Sequence, residues 1–127
     1  MVAERRALAD RCCDALGDVP ATLLPTDPPY GTTNYQSYVV RLDDDLPLER
    51  DAVMRHLLDQ GIASRRGIMA AHLEPACWDL PAGELPVTER LTRRSLILPL
   101  FHGMDVAQVE RVAGALAQCI QEVPTWR

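Results

Sequence analysis

Two adjacent arginines, Arg65 and Arg66, hold the clearest chemistry in this chain. A guanidinium is a planar fork that meets a carboxylate or a phosphate through two parallel hydrogen bonds, so the pair is a candidate anion site. In a strand the two side chains point to opposite faces, and at most one can serve a given pocket. Gly67 beside Arg66 permits close backbone approach, which favours Arg66. The competing reading is a solvated strand edge, or an ion pair with one of the eighteen acids. Among the histidines, His72 by its residue type alone is a hydrogen-bonded loop side chain, while His56 and His102 fall on a helix surface and in a turn. Cys12, Cys13, Cys77 and Cys119 lack C-x-x-C spacing and read as reduced core or surface thiols, which implies a cytoplasmic setting. No Gly-x-Ser-x-Gly is present, and His72 and Cys77 are too loosely spaced to specify a dyad. All thirteen basic residues are arginine; without lysine there is no side-chain amine to form a Schiff base.

These side chains need elements to position them. Val2–Leu16 predicts a helix, with Ala7, Leu8, Cys12, Ala15 and Leu16 at helical spacing and Gly17 to stop it. Asp18–Asn34 holds four prolines and a glycine and reads as an irregular connector. Tyr35–Leu42 is the best strand, with Tyr38, Val40 and Leu42 on one face and Ser37, Val39 and Arg41 on the other. Tyr35 and Gln36 at its start face either a neighbouring domain or the packed interior. After the acidic turn Asp43–Asp45, Pro47 opens a helix with an apolar stripe at Val53, Met54, Leu57 and Leu58. Gly61 is placed for a left-handed cap, with Ile62 as its hydrophobic partner. Ala63–Met69 predicts a second strand, and Ala70–Gly83 an ordered loop turning near Glu74-Pro75, with Trp78 and Trp126 packing. A third helix opens at Pro86, and Leu96–Leu98 is a short buried strand. The last helix is capped by Asp105 with Gln108 in capping-box position, and shows Val109, Val112, Ala113, Leu116 and Ile120 to the core. The alternation predicts an α/β fold: a two-layer small domain, about four helices packed on a small three-stranded sheet.

Length and composition agree with a single domain over residues 1–127, since 47% apolar content suffices for one core. A net charge of −5 offers no basic footprint for nucleic acid, and no apolar run is long enough to span a membrane.

Several blocks, in order, resemble the C-terminal part of the DegT/DnrJ/StrS family of pyridoxal-phosphate (PLP) aminotransferases. They are Asn34–Leu42, Arg50 to Gly61-Ile62, the run Ile62–Met69, His72–Ala76, Pro86–Leu91 and Leu96–Leu100. The resemblance implies the small domain that packs beside a cofactor domain and helps wall the pocket for a nucleotide-linked keto-sugar and an amino donor. PLP, its lysine and the phosphate cup would belong to a large N-terminal domain outside this sequence. On the same resemblance Arg65, Arg66 and His72 stand near the mouth of the site as substrate contacts, and none of them is a catalytic residue. Members with an aromatic or histidine where Arg65-Arg66 stand differ here, which leaves the substrate class open. An isolated small domain would also self-associate as a homodimer, through its first helix or the Met69–Trp78 loop. The alternative remains a free-standing α/β module that binds a ligand or protein without catalysis.

Overall fold

Four short strands pair in the order β1-β2-β4-β3, every neighbouring pair antiparallel. They are β1 (Thr22–Leu23), β2 (Tyr38–Leu42), β3 (Arg65–Arg66) and β4 (Ser95–Leu98), and the helices are α1 (Val2–Leu16), α2 (Arg50–Asp59), α3 (Pro86–Arg94) and α4 (Val106–Gln121). The computed structural model describes residues 1–81 and 83–122, and Trp126 lies outside them.

The centre is the β2–β4 pair, where Tyr38 meets Leu98 and Val40 meets Leu96. Strand alternation puts these residues and Leu42 on one face, and all five are buried. Helix α4 lies across that core with Val109, Val112, Ala113, Leu116 and Ile120 buried, flanked by α1 and α2. Its start is fixed by a reciprocal capping box. The Asp105 carboxylate accepts from the Gln108 amide at 2.8 Å, and the Gln108 side chain accepts from the Asp105 amide at 2.9 Å. Helix α2 ends as its sequence requires. Gly61 takes φ +74°, its N–H donates to the Leu58 carbonyl, and Ile62 donates to Leu57.

The sheet has one strand more than the three expected. Ala21 adopts φ +55° inside the connector, and this turn lays Thr22-Leu23 against Leu42-Arg41. A two-residue strand has no period for a sequence to show. The strand expected over Ala63–Met69 shortens to Arg65-Arg66. Helix α2 begins at Arg50, three residues after Pro47, and Leu58 on it is exposed. Nor does α1 keep a free apolar face, because Leu8, Cys12 and Leu16 are buried in this chain's own core beside α4. That removes α1 as the expected route to a homodimer. Trp78 is 69% exposed instead of packed, its indole N–H bonded to the Leu73 carbonyl.

Two glycines separate space from backbone freedom. A Cβ on Gly67 would stand 2.3 Å from the Ser95 hydroxyl oxygen, whereas one on Gly114, within α4, would meet nothing within 4 Å. Gly67→Ala is therefore expected to destabilise by about 1–3 kcal/mol through overpacking. Gly114→Ala should stabilise by about 0.5–1 kcal/mol through helix propensity. Urea unfolding of both variants checks this; a Gly67→Ala midpoint at or above the wild-type value would contradict the close β3–β4 approach.

Candidate functional site

The face of the sheet turned away from the helix core carries the features that packing does not explain. Register puts Val39, Arg41, Ser95, Ile97 and Arg65 on this outer face. Two hollows lie over it, of about 720 and 290 Å³. They share Gln36, Ser37, Arg65 and Ile97; Met69, Leu73 and Thr92 complete the larger, and Phe101 and Leu100 the smaller.

Arg65 and Arg66 both line the larger hollow, but only Arg65 also lines the smaller. Arg66 reaches Asp51 at 3.5 Å, and the same carboxylate is held by Arg50 at 2.7 Å. Arg50 is nearly buried and also donates to the Thr92 carbonyl. The Arg50 hydrogen bond, ahead of the charges of Arg50 and Arg66, lowers the pKa of Asp51. Arg65 has no ion-pair partner among the described residues. Gly67 beside the pair is filled by Ser95, so the space that favoured Arg66 in the sequence is already occupied. His72 stands apart from both hollows, its Nε2 3.2 Å from a Glu89 carboxylate oxygen, tying the 3₁₀ turn Ala71–Leu73 to α3. His56 lies on α2 against Gln60, and His102 in a turn against Glu4.

Ser37 reaches the hollows by alternation with Val39, and Gln36 reaches them through an irregular entry into β2. Strict alternation would place Tyr35 outside, with Ser37 and Val39, and Gln36 inside, with Tyr38. Instead Tyr35 has φ +50°, a left-handed conformation that strains a bulky residue by about 1–2 kcal/mol. Its ring is buried and stacks on Tyr38 with centroids 6.3 Å apart, and Gln36 is exposed on the outer face. Arg5 donates to the carbonyls of Tyr35 at 3.1 Å and Gln36 at 3.0 Å. Nothing in the sequence flags Arg5, because it acts through the irregular backbone at Tyr35 and Gln36, whereas Ser37 already falls on the outer face by alternation.

The thiols give no second site. Burial pushes the Cys12 thiol up to about 11, and Cys13 sits 3.1 Å from the Tyr38 hydroxyl, whose pKa burial also raises. All four cysteines are unpaired, and no group of three metal-ligating side chains occurs among the described residues. No described helix is long and apolar enough to cross a membrane.

Residues 1–117 match the profile of the DegT/DnrJ/EryC1/StrS aminotransferase family. Over 117 residues the chain is 35% identical to the erythromycin biosynthesis sensory transduction protein EryC1 of Saccharopolyspora erythraea, covering 90% of this chain. Over 122 residues it is 31% identical to dTDP-4-dehydro-2,3,6-trideoxy-D-glucose 4-aminotransferase of Saccharopolyspora spinosa, covering 92%. It spans only 31% and 29% of those relatives' lengths. The crystal structure of DesI with its TDP-sugar product superposes with a TM-score of 0.85 at 30% identity, over 95% of this chain and 31% of that one.

The connector that presents Gln36 has an acid-sensitive tie. Arg6 binds Asp27 at 2.7 Å and the Thr33 carbonyl at 2.5 Å, and Asp27 accepts from the Thr33 amide at 2.8 Å. The Arg6 hydrogen bond, then those from Thr33, hold the Asp27 carboxyl down at about 2. Its folded pKa lies below the unfolded value of about 3.9, so its contribution is complete above that value and is lost as pH falls towards 2. Thermal melts between pH 5 and 2 should show a shallower acid decline for Asp27→Asn than for wild type. Parallel curves would remove this tie from the account.

Proposed function

This chain belongs to the DegT/DnrJ/EryC1/StrS aminotransferase family, and we propose that it is the C-terminal, substrate-side domain of a PLP-dependent aminotransferase acting on a nucleotide-linked keto-sugar. One observation carries the reading: Arg65, without an acidic partner among the described residues, stands between two hollows on the sheet face left open by the helices. A guanidinium so placed suits the phosphate of a sugar nucleotide or the carboxylate of an amino donor. A relative named for a dTDP-linked sugar and a neighbour solved with a TDP-sugar product favour the nucleotide sugar. Arg66 stands at the rim, partly neutralised by Asp51. His72 acts in this reading by holding the wall of the larger hollow, through Glu89.

The residues present do not fit PLP itself. The cofactor is carried by a lysine in such enzymes, and this chain has none. It would therefore be held by a preceding large domain, consistent with a chain that spans under a third of its relatives. The exposed apolar side chains of Met69, Leu73, Trp78 and Leu80 supply a surface for that domain. In its absence the same surface is where two copies would meet.

Two measurements test the reading. PLP added to the chain and treated with borohydride should leave no adduct on any internal residue; a mapped internal adduct would contradict the division of labour. In a titration with dTDP-glucose followed by backbone amide shifts, residues 36–37 and 64–67 should respond. Arg65→Ala should weaken that binding about tenfold, and Arg66→Ala less. Binding that is indifferent to Arg65→Ala would sink the anion site.

A further inference from the structure

We propose that Gln36 is a ligand-contacting residue of this hollow and that Arg5 positions it, an inference that rests on the sugar-nucleotide reading of the site. Gln36 lines both hollows over the sheet, and it also borders a third beside Met1, Val2 and Arg5. It is thus the residue common to these three hollows. No described residue hydrogen-bonds its side-chain amide, although that amide has two donors and an acceptor.

The backbone shows why Gln36 is there. Period-two alternation back from Tyr38 assigns Gln36 to the packed face and Tyr35 to the open one. Residues 36–37 instead bend between the left-handed Tyr35 and β2, so that the aromatic ring enters the core and Gln36 is exposed on the hollow that Arg65 also lines. A non-glycine residue keeps such a conformation only where its surroundings enforce it. Four contacts do so here. The Tyr35 ring stacks on Tyr38, the Arg6 guanidinium lies 6.0 Å from its centroid, Arg5 binds the Tyr35 and Gln36 carbonyls, and the Gln36 backbone N–H donates to the Asn34 side-chain oxygen at 3.0 Å.

The pairing of chemistries defines the ligand. Arg65 takes an anionic oxygen, and the Gln36 amide reads a neutral donor or acceptor near it, the hydroxyl of a sugar or the imide edge of a pyrimidine. Gln36 therefore discriminates a nucleotide-linked sugar from a bare anion. Arg5 acts through the Tyr35 and Gln36 carbonyls and is a positioning residue.

Titrations of the labelled chain with dTDP-glucose and with inorganic pyrophosphate test this. Gln36→Ala should weaken dTDP-glucose about fivefold and leave pyrophosphate unchanged. Arg5→Ala should reproduce that selective loss with Gln36 intact, and Arg5→Lys, which can still reach one carbonyl, should recover part of it. Equal weakening of both probes by Arg5→Ala would assign Arg5 a general structural role and overturn the proposal, as would a Gln36→Ala variant that binds dTDP-glucose like wild type. If wild type binds neither probe, or Arg65→Ala changes neither, the anion site itself fails and this inference falls with it. An Arg65-dependent site indifferent to Gln36→Ala overturns only the inference.

Discussion

Side chains at Tyr38, Val40 and Leu42 meet Leu96 and Leu98 on one face of an antiparallel pair, and that meeting decides where nearly everything else goes. The two strands are more than fifty residues apart, so their pairing closes a long loop whose entropy must be recovered by burial. Recovery comes from one side. Helices α1, α2 and α4 cover the inner face, and their buried residues join those of β2 and β4 in a single cluster. The outer face receives no such layer. Helix α3, which leads into β4, has no buried residue at all. Packing thus consumes one surface of the sheet and leaves the other with half-exposed Val39 and Ile97 around an exposed arginine.

Arginine does most of the fastening between this frame and its irregular segments. Arg5 and Arg6 hold the Thr33–Gln36 stretch, Arg94 holds the carbonyls of Asp44, Leu46 and Leu48, and Arg111 holds that of Gln60. A fork of fixed geometry satisfies two or three carbonyls at once, which a lysine ammonium on a flexible stem does less well. Most of these bonds end on backbone oxygens that loop conformations leave without a ladder partner. The chain's lack of lysine is therefore legible as a structural habit as well as a missing chemistry. Arg65, like Arg11, Arg41 and Arg55, fastens nothing among the described residues, and of these four it is the one that lines both hollows.

What the sequence discloses follows from range. Helix α1, the Gly61 cap and the Asp105 capping box are decided within a turn or two of chain, and they stand where their residues place them. The alternation of Tyr38, Val40 and Leu42 is likewise local. Strand β1 and the shortening of β3 are decided by partners far along the chain: Thr22-Leu23 needs Arg41-Leu42, and Gly67 ends against Ser95. The candidate site divides the same way. Arg65 and Arg66 declare themselves by type, but which of them is engaged depends on Asp51, fifteen residues earlier. Leu58 and Trp78 read as core from hydrophobicity, and their exposure reflects what lies beside them in space.

Tyr35 shows how the two faces depend on each other. Its ring completes the inner core beside Tyr38, and the bend at residues 36–37 that admits the ring leaves Gln36 outward. Straightening that entry into regular strand would withdraw the ring and expose it in place of Gln36, since alternation reverses both residues together. The core therefore stabilises the strained backbone through the ring, and the arginine contacts at Tyr35 and Gln36 keep it from relaxing. A surface that packing leaves open is in this way still shaped by packing. The arrangement needs Arg5 and Arg6 on the first turns of α1, and α1 is itself fixed by Leu8, Cys12 and Leu16 in the core beside α4. Placement of the outward amide thus runs back through the buried layer to the same β2–β4 pair.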